Sequence, residues 1–446
     1  MKEKSMIRRI LPVAIPISLQ NLINVGVSVT DTLMIGGISE VQLSGVAQAN
    51  QPYLIFTTLV FGLATGSTVL TAQYWGREEK GPIRAILGLM IRMGMLCALA
   101  ATVLLQLFPE QVLSVFASDP GVIEYGVQYL RIVCLSYVFS AFTGIYLIGL
   151  RSTANVRVSM CIYGLAFLLN VFLNWVFIFG NLGAPRLECR GAAVATLISR
   201  VFEFLLTVVY MYFIETGLRM RFSDLFRKTS MYWKTLVRYS VPVLFSELNW
   251  GLGIAIQAAI IGHLGVSALA ASSLINVLQE LGGVAVMGLG SAAGVVVGNL
   301  IGEGQDGEAI VCARKLTRLS YLFAAGAAAA MLLIRPLTPG FINGTAETDA
   351  MVLGMMFVLA YLLFFQSINI VTLAGILRGA GDTVFCMSVD FTVLFLFKIF
   401  GGLFFTLVVP LHPVWVYFVL SSDEFGKTLV LIPRILRGKW IHHTTV

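Results

Sequence analysis

Long apolar stretches alternate with short polar segments along the whole chain. A stretch of about 20 apolar residues is long enough to cross a bilayer as a helix. The pattern predicts twelve spans, at residues 10–34, 46–73, 85–108, 121–150, 159–180, 190–213, 236–262, 270–300, 315–335, 346–376, 384–410 and 412–432. The predicted fold class is therefore an all-α polytopic membrane protein with twelve transmembrane helices.

Composition agrees with a chain whose solvent is lipid. Hydrophobic residues make up 58% of the 446 residues and charged residues only 12%, whereas soluble domains carry about 25% charged residues. This composition excludes a soluble enzyme. The six cysteines have no metal or redox spacing, so we expect no metal site and no cofactor beyond a coupling ion.

The net charge of +7 is an orientation signal and does not indicate a nucleic-acid partner. Lys and Arg are concentrated at the N-terminus, in the loops after spans 2, 4, 6, 8 and 10, and in the C-terminal tail. The positive-inside bias predicts that both termini are cytoplasmic. The most basic loop, 214–235, is interpreted as an amphipathic segment on the cytoplasmic face or as a plain solvated linker.

The second half of the chain repeats the first. The shift that places Pro16 on Pro242 also places Gly76 on Gly302, and a shift longer by one position places Arg151 on Arg378. Each half has six predicted spans, an even number, so the repeat is parallel. Chance similarity of apolar segments is the alternative, but Pro, Gly and Asn carry the match. The predicted domains are an N-lobe (1–213), a cytoplasmic linker (214–235) and a C-lobe (236–446).

The first span carries a polar stripe that leads to a carboxylate. Gln20, Asn24, Ser28 and Asp31 fall within about 80° of one another on a helix. A carboxylate at this depth costs about 3 kcal/mol on insertion scales, so it normally faces a bundle interior or a water-filled cavity. We predict that Asp31 lies in a cavity and exchanges a proton or a cation there. The alternative is that Asp31 lies near the membrane surface and ends the helix.

Polar groups of spans 5 and 6 extend this candidate site. Asn170 and Asn174 are one turn apart and share a helix face. They are predicted to hydrogen-bond Asp31, or alternatively to hold helices together, and Thr196 of span 6 is a further candidate partner.

The second half holds two more candidate coupling carboxylates, Glu247 in span 7 and Asp390 in span 11. Under the shift that relates Pro16 to Pro242, Glu247 lies opposite Asn21, and Gln257 lies opposite Asp31. Gln257 is therefore included among the predicted polar cavity residues.

Three pairs of opposite charges lie at helical spacing within the spans: Arg200 with Glu203, Asp423 with Lys427, and Asp390 with Lys398. The first two are interpreted as structural ion pairs. The third pair is left open.

Two six-span halves with polar residues at mid-depth are typical of secondary transporters that work by alternating access. The sequence has no GxxxxGK[ST] run for nucleotide binding. The segment GLGSAAG at 288–294 lies inside span 8, where small residues favour close helix packing. A lipid-linked intermediate flippase, a metabolite exporter and a non-transporting scaffold or receptor are the alternative functions.

Several segments, in order, resemble the multidrug and toxic compound extrusion (MATE) transporters, in particular their bacterial NorM-like and DinF-like branches. They are IPISLQNLINVGVSVTDTLMIGG, NVFLNWVFIFGNLGAP, PVLFSELNWGLGIAIQ and GILRGAGDT. The resemblance implies two six-helix lobes of the MOP superfamily type in the bacterial inner membrane. It also implies export of organic cations in exchange for H⁺ or Na⁺.

The resemblance assigns roles to residues of the N-lobe. Asp31 matches the first-helix carboxylate of the family's N-lobe site, and Asn170 and Thr196 match its polar partners. Asn174 falls where many members have Asp, which removes one acid from the site.

In the C-lobe, Glu247 resembles the family's seventh-helix acid. Some Na⁺-coupled members have a tenth-helix acid that has no match near Ser367, which favours H⁺ coupling. The expected partners are a small organic cation and membrane lipids, and the expected oligomeric state is a monomer.

Overall fold

The structure, a computed structural model, describes residues 3–227, 229–339, 346–409 and 411–445. Within these residues the chain forms helices and loops and no strand. The main helices are α1 Glu3–Gly36, α2 Glu40–Gly76, α3 Lys80–Leu107, α4 Pro120–Arg151, α5 Arg157–Phe179, α6 Cys189–Ile214, α7 Ser230–Gly262, α8 Val266–Gly302, α9 Asp306–Leu337, α10 Ala346–Leu377, α11 Thr383–Val408, α12 Pro413–Ser421 and α13 Asp423–Arg437. Of the described helices, the eleven from α1 to α11 are long and apolar enough to cross a membrane.

The twelfth predicted span is formed by two consecutive helices, α12 and α13, which meet at Ser422. Ser422 keeps right-handed helical dihedrals (φ −76°, ψ −5°), so α13 directly continues α12. Asp423 and Glu424 occupy the first turn of α13, where the helix dipole favours negative charge. Two adjacent acids in mid-span are the reason why this segment is less uniformly apolar than the other eleven.

Large apolar side chains are exposed on the outer faces of the helices. Leu107 is 66% exposed, Leu168 64% and Leu407 75%. Such faces suit a hydrocarbon solvent, whereas the backbone polar groups are satisfied within each helix.

The described chain divides into two compact units. The N-terminal unit consists of residues 19–67 and 79–236, and the C-terminal unit consists of residues 1–18, 68–78 and 237–446. The predicted lobe and linker boundaries at 213 and 236 stay a prediction.

Parts of α1 and α2 pack within the C-terminal unit. The Ser18 hydroxyl donates to the carbonyl oxygen of Ala285 at 3.3 Å. Gln73 donates to the His442 carbonyl at 3.0 Å and accepts from the Thr444 amide at 2.8 Å. These hydrogen bonds attach the end of α2 to the C-terminal tail.

Two glycines that the repeat pairs, Gly76 and Gly302, lie where α2 and α8 meet in the C-terminal unit. A Cβ on Gly76 would overlap the Asn299 carbonyl oxygen, and a Cβ on Gly302 would overlap the Gln73 carbonyl oxygen. The shift that places Pro16 on Pro242 relates both contacts. The two copies therefore use equivalent backbone contacts, and both positions require glycine.

The glycine run of α8 is a packing surface, as the sequence predicts. A Cβ on Gly290 would lie 2.9 Å from the Ile370 carbonyl oxygen, and a Cβ on Gly294 would lie 3.1 Å from the Gly375 carbonyl oxygen. Close approach of α8 and α10 is the physical role of the segment 288–294.

The connecting segment 214–235 folds onto α3 in the N-terminal unit. It buries three apolar side chains: Leu218, Met220 and Leu225. The Glu215 carboxylate accepts hydrogen bonds from the backbone of residues 218 and 219, and the Asp224 carbonyl lies against Gly88. These contacts favour the amphipathic interpretation over a plain solvated linker. Lys228 lies outside the described residues.

Candidate functional site

Asp31 is held by neutral amides in the N-terminal unit. Asn174 Nδ2 donates a 2.5 Å hydrogen bond to Asp31 Oδ1 and a 3.2 Å hydrogen bond to Asn170 Oδ1. The side-chain amide of Asn174 can donate to both Asp31 and Asn170, because Asn170 and Asn174 are one helical turn apart on α5. Among the described residues, no Lys, Arg or His nitrogen lies within 4.0 Å of the Asp31 carboxylate.

A cavity of about 30 Å³ lies beside these amides. A polar cavity needs only about 10–15 Å³ to hold a water molecule, so this one has room for water. Its polar lining consists of Asn24, Tyr163, Asn170, Thr196, Ser199, Arg200 and Glu203. The structure thus brings together the predicted residues Asn24, Asn170 and Thr196 at this cavity. Asp31 and Asn174 do not line it and are linked to it through Asn170, so the cavity position of Asp31 stays a prediction.

The predicted ion pair of Arg200 and Glu203 is confirmed. Arg200 Nη1 lies 2.7 Å from Glu203 Oε2, and Glu203 is only 2% exposed. The pair forms part of the cavity wall, so the positive charge of Arg200 is neutralised there.

Gln20 lies apart from these contacts, although it belongs to the same predicted stripe. It accepts a 3.2 Å hydrogen bond from Arg151 Nη2, and both residues are buried. Gln20 precedes Asp31 by eleven residues, about 16 Å along a helix. The polar stripe of α1 therefore serves two different sites.

Arg378 joins Glu247 and Asp390 in the C-terminal unit. Arg378 Nη1 lies 2.5 Å from Glu247 Oε1, and Nη2 lies 3.6 Å from Asp390 Oδ2. By sequence, Arg151 and Arg378 are predicted to be loop charges that mark orientation. That prediction is wrong for both, because each lies within a helix, Arg151 is buried and the Arg378 side chain is only 12% exposed.

Lys427 continues this network along α13. Its Nζ lies 3.6 Å from Asp390 Oδ1, 3.1 Å from Glu424 Oε1 and 3.9 Å from Asp423 Oδ2. The predicted pair of Asp423 and Lys427 is therefore present, but Glu424 is the closer partner.

Lys398 pairs with Asp423, at 3.5 Å between Nζ and Oδ2. The Asp390–Lys398 pair that the sequence left open does not form, because Asp390 lies between Arg378 and Lys427 instead. Spacing within one helix could not reveal this choice, since the actual partners are on other helices.

We name the connected group the C-terminal charge cluster: Glu247, Asp390, Asp423, Glu424, Arg378, Lys398 and Lys427. Their side chains are only 6–16% exposed. Two of its cations are associated with π-helical segments, which often mark functional sites. Segment Ile370–Leu377 ends directly before Arg378, and segment Leu394–Gly401 contains Lys398.

Gln257 is half-buried on α7, ten residues after Glu247. It makes no side-chain hydrogen bond with the described residues and is not part of the charge cluster. The predicted equivalence of Glu247 with Asn21 stays a prediction. Gln20 and Glu247 contact Arg151 and Arg378, the two arginines that the longer shift pairs.

The fold and these buried polar sites define a multi-pass membrane protein made of two repeats. A family model described as MatE matches the chain twice, at residues 16–176 and 242–404. The chain belongs to the MatE family, whose members are transporters and not enzymes. The two matches begin at Pro16 and Pro242, which confirms the repeat.

Named relatives cover nearly the whole chain. The probable multidrug resistance protein NorM of Thermotoga maritima is 23% identical over 435 residues, which cover 97% of this chain and 93% of the relative. The multidrug resistance protein MdtK of Yersinia pseudotuberculosis is 25% identical over 450 residues, which cover 97% and 95%.

Solved structures have the same fold. The crystal structure of a MATE protein in the bent conformation matches with a TM-score of 0.84 at 18% identity, over 98% of this chain and 96% of that chain. An outward-facing multidrug resistance MATE transporter of the MOP superfamily matches with a TM-score of 0.85 at 18% identity, over 98% and 99%.

Proposed function

We propose that this protein is a secondary active antiporter that exports small amphiphilic compounds, organic cations among them. The exchanged ion is H⁺, with Na⁺ as the alternative. The observation that carries the proposal is the Asp31 carboxylate, which is held by Asn174 and has no described cation within 4.0 Å.

A single unneutralised carboxylate supports exchange for a simple electrostatic reason. In a low-dielectric interior it is stabilised either by a proton or by a positively charged substrate, but not by both at once. Entry of the proton therefore releases the cation, and loss of the proton restores the binding site. The pH gradient drives the cycle, because each tenfold difference in proton concentration across the membrane supplies about 1.4 kcal/mol per exchanged proton.

H⁺ is favoured over Na⁺ by the chemistry of the Asp31 partners. Hard metal cations prefer several oxygen ligands, often with more than one carboxylate. Position 174, one hydrogen bond from Asp31, is an amide whose nitrogen faces the carboxylate. A proton needs only the one carboxylate.

The names of the relatives support the substrate class. NorM and MdtK are named as multidrug resistance proteins, and their bacterial origin supports an inner-membrane location. We further propose that both termini are cytoplasmic and that the protein works as a monomer among membrane lipids. A flippase for lipid-linked phosphates is less well supported, because Arg200 in the cavity wall is paired with Glu203.

The test is efflux of a fluorescent organic cation, ethidium, from proteoliposomes with an imposed pH or Na⁺ gradient. The pH gradient is expected to drive efflux in the wild type. Asp31→Asn is expected to lower the rate at least about tenfold, since an amide cannot bind the proton. The matched control is Glu110→Gln, an acid-to-amide change at an exposed site in the same unit.

Undiminished pH-driven efflux by Asp31→Asn would remove this residue from the coupling mechanism. Efflux driven only by a Na⁺ gradient would show that the coupling ion is Na⁺ and not H⁺. Binding of a lipid pyrophosphate with no ethidium transport would favour the flippase, and transport of only an uncharged or anionic metabolite would favour a metabolite exporter.

A further inference from the structure

The C-terminal charge cluster contains one more acid than base. Its acids are Glu247, Asp390, Asp423 and Glu424, and its bases are Arg378, Lys398 and Lys427. Among the described residues, no other cation lies within 4.0 Å of these four carboxylates. An unpaired buried charge is costly, and a carboxylate in this situation normally takes up a proton.

Three of the four carboxylates are well paired. Glu424 and Asp390 have a basic or amide nitrogen near each oxygen, and Glu247 has a short ion pair. Glu247 has the 2.5 Å contact with Arg378. Glu424 Oε1 accepts a 3.1 Å hydrogen bond from Lys427, and Glu424 Oε2 accepts a 2.7 Å hydrogen bond from Asn369. Asp390 has a different cation near each oxygen, at 3.6 Å in both cases.

Asp423 is different, because both of its cations approach the same oxygen. Lys398 and Lys427 lie 3.5 and 3.9 Å from Oδ2, and no described cation lies within 4.0 Å of Oδ1. Oδ1 is buried and has no hydrogen-bond partner among the described residues, and Asp423 is only 5% exposed. Asp423 Oδ1 is therefore the atom in the cluster where a proton is best accommodated.

The groups that act on Asp423 come from four helices. They are Lys398 of α11, Lys427 and Glu424 of α13, Tyr417 of α12 and Tyr361 of α10. The hydroxyls of Tyr417 and of its neighbour one turn on, Ser421, are also buried without a hydrogen-bond partner in the described part of the chain. An ionised Asp423 can only accept hydrogen bonds, whereas a protonated Asp423 can also donate one.

We propose that Asp423 holds a proton and is a second proton-carrying site of this transporter, separate from Asp31. Its part in transport rests on the proposed antiport, whereas its protonation does not. The proton leaves Oδ1 for solvent when Lys398 or Lys427 moves from Oδ2 into hydrogen-bond contact with Oδ1, because the O–H bond is then replaced by an ion pair. It returns when the lysine withdraws.

Infrared spectroscopy of the purified full-length protein tests protonation directly through the C=O stretch of a neutral carboxylic acid. The background is Asp31→Asn, which removes the other candidate proton site. This variant is expected to show the band at neutral pH, with a shift in D₂O. The double variant with Asp423→Asn is expected to lose it.

The matched control replaces Asp423→Asn with Asp382→Asn. Asp382 is another buried acid of the C-terminal unit, and it forms a 2.9 Å pair with Arg434. Its amide variant is expected to keep the band. A spectrum without the band in the Asp31→Asn background, or a band that survives Asp423→Asn, overturns the proposal.

A second variant changes the charge balance in the opposite way. Lys398→Met removes one base, so the cluster then has two excess acids, and the band area is expected to increase about twofold. An unchanged area overturns the charge-balance argument, even if Asp423→Asn fails to fold.

The two proposals fail in distinguishable ways. A band that depends on Asp423, without pH-driven efflux, contradicts the antiport alone. Efflux that depends on Asp31, without the band, contradicts the Asp423 site alone.

Discussion

Arg151 in the N-terminal unit and Arg378 in the C-terminal unit occupy equivalent places in the repeat but have different partners. Each contacts a side chain 131 residues earlier in the sequence, Gln20 in one unit and Glu247 in the other. The first partner is a neutral amide and the second is a carboxylate. Both copies of the repeat therefore have an arginine at this position. The type of the partner residue, Gln20 or Glu247, decides whether the charge of the arginine is balanced.

The same difference extends to the next positions of the repeat. Asp390, the second acid on Arg378, corresponds to Tyr163, and Lys427 corresponds to Arg200. Both units thus keep two bases with little exposed surface at equivalent places, but the acids are distributed differently. The N-terminal unit leaves Asp31 without a basic partner among the described residues, whereas the C-terminal unit collects four acids around its bases.

The largest expected effect comes from removing the arginine that has acidic partners. Arg378→Met would leave Glu247 without its ion pair, and removing one partner of a buried pair costs about 3–5 kcal/mol. Arg151→Met removes a cation whose described partner is the amide of Gln20, so its cost is expected to be lower. Thermal unfolding of both variants in the same detergent measures the difference. Equal losses of stability would contradict the comparison.

A smaller effect, equal in both copies, is expected where the repeat is symmetrical. Gly76→Ala and Gly302→Ala each place a Cβ against a backbone carbonyl oxygen. Overpacking of this kind costs about 1–3 kcal/mol. Unfolding temperatures of the two variants should fall by similar amounts, and Gly251→Ala, where a Cβ meets open space, is the control. A large drop for only one of the pair would mean that the two contacts are not equivalent.

The smallest effect is expected from replacing Gln20, the partner of Arg151, by the acid that Arg378 has as its partner. Gln20→Glu would place a carboxylate on Arg151 and is expected to stabilise the protein by about 1 kcal/mol, since hydrogen bonds to charged groups are stronger than neutral ones. The measurement is again the unfolding temperature. Gln257→Glu, a half-buried site away from both arginines, is the control, and it should not stabilise the protein. No gain for Gln20→Glu would indicate that the charge of Arg151 is already balanced.

Much of the architecture could be predicted from the sequence, because it depends on local pattern. The lengths of the apolar stretches predicted the spans, and Pro16 with Pro242 predicted the repeat. The pair of Arg200 and Glu203 followed from a spacing of three residues within one helix. The hydrogen bond between Asp31 and Asn174 was anticipated as one of two alternatives.

The charge cluster could not be predicted in the same way. Arg378 and Arg151 follow apolar spans and look like loop charges, yet both lie within helices and expose little of their side chains. Lys398 could have paired with Asp390 eight residues earlier, but it pairs with Asp423 on another helix. A comparison of Arg151 and Arg378 under the repeat was the one available signal, and it does not identify their partners.

Three features could be predicted without any structure: the chain crosses a membrane many times, it is duplicated, and Asp31 is an acid within a span. Hydrophobicity and periodicity are properties of single segments, so they can be read without knowing how segments pack. Which acid faces which base became known only from the packing of the helices. That choice depends on where helices cross and on which face each one presents, and distances of a few ångströms between segments far apart in the chain decide it.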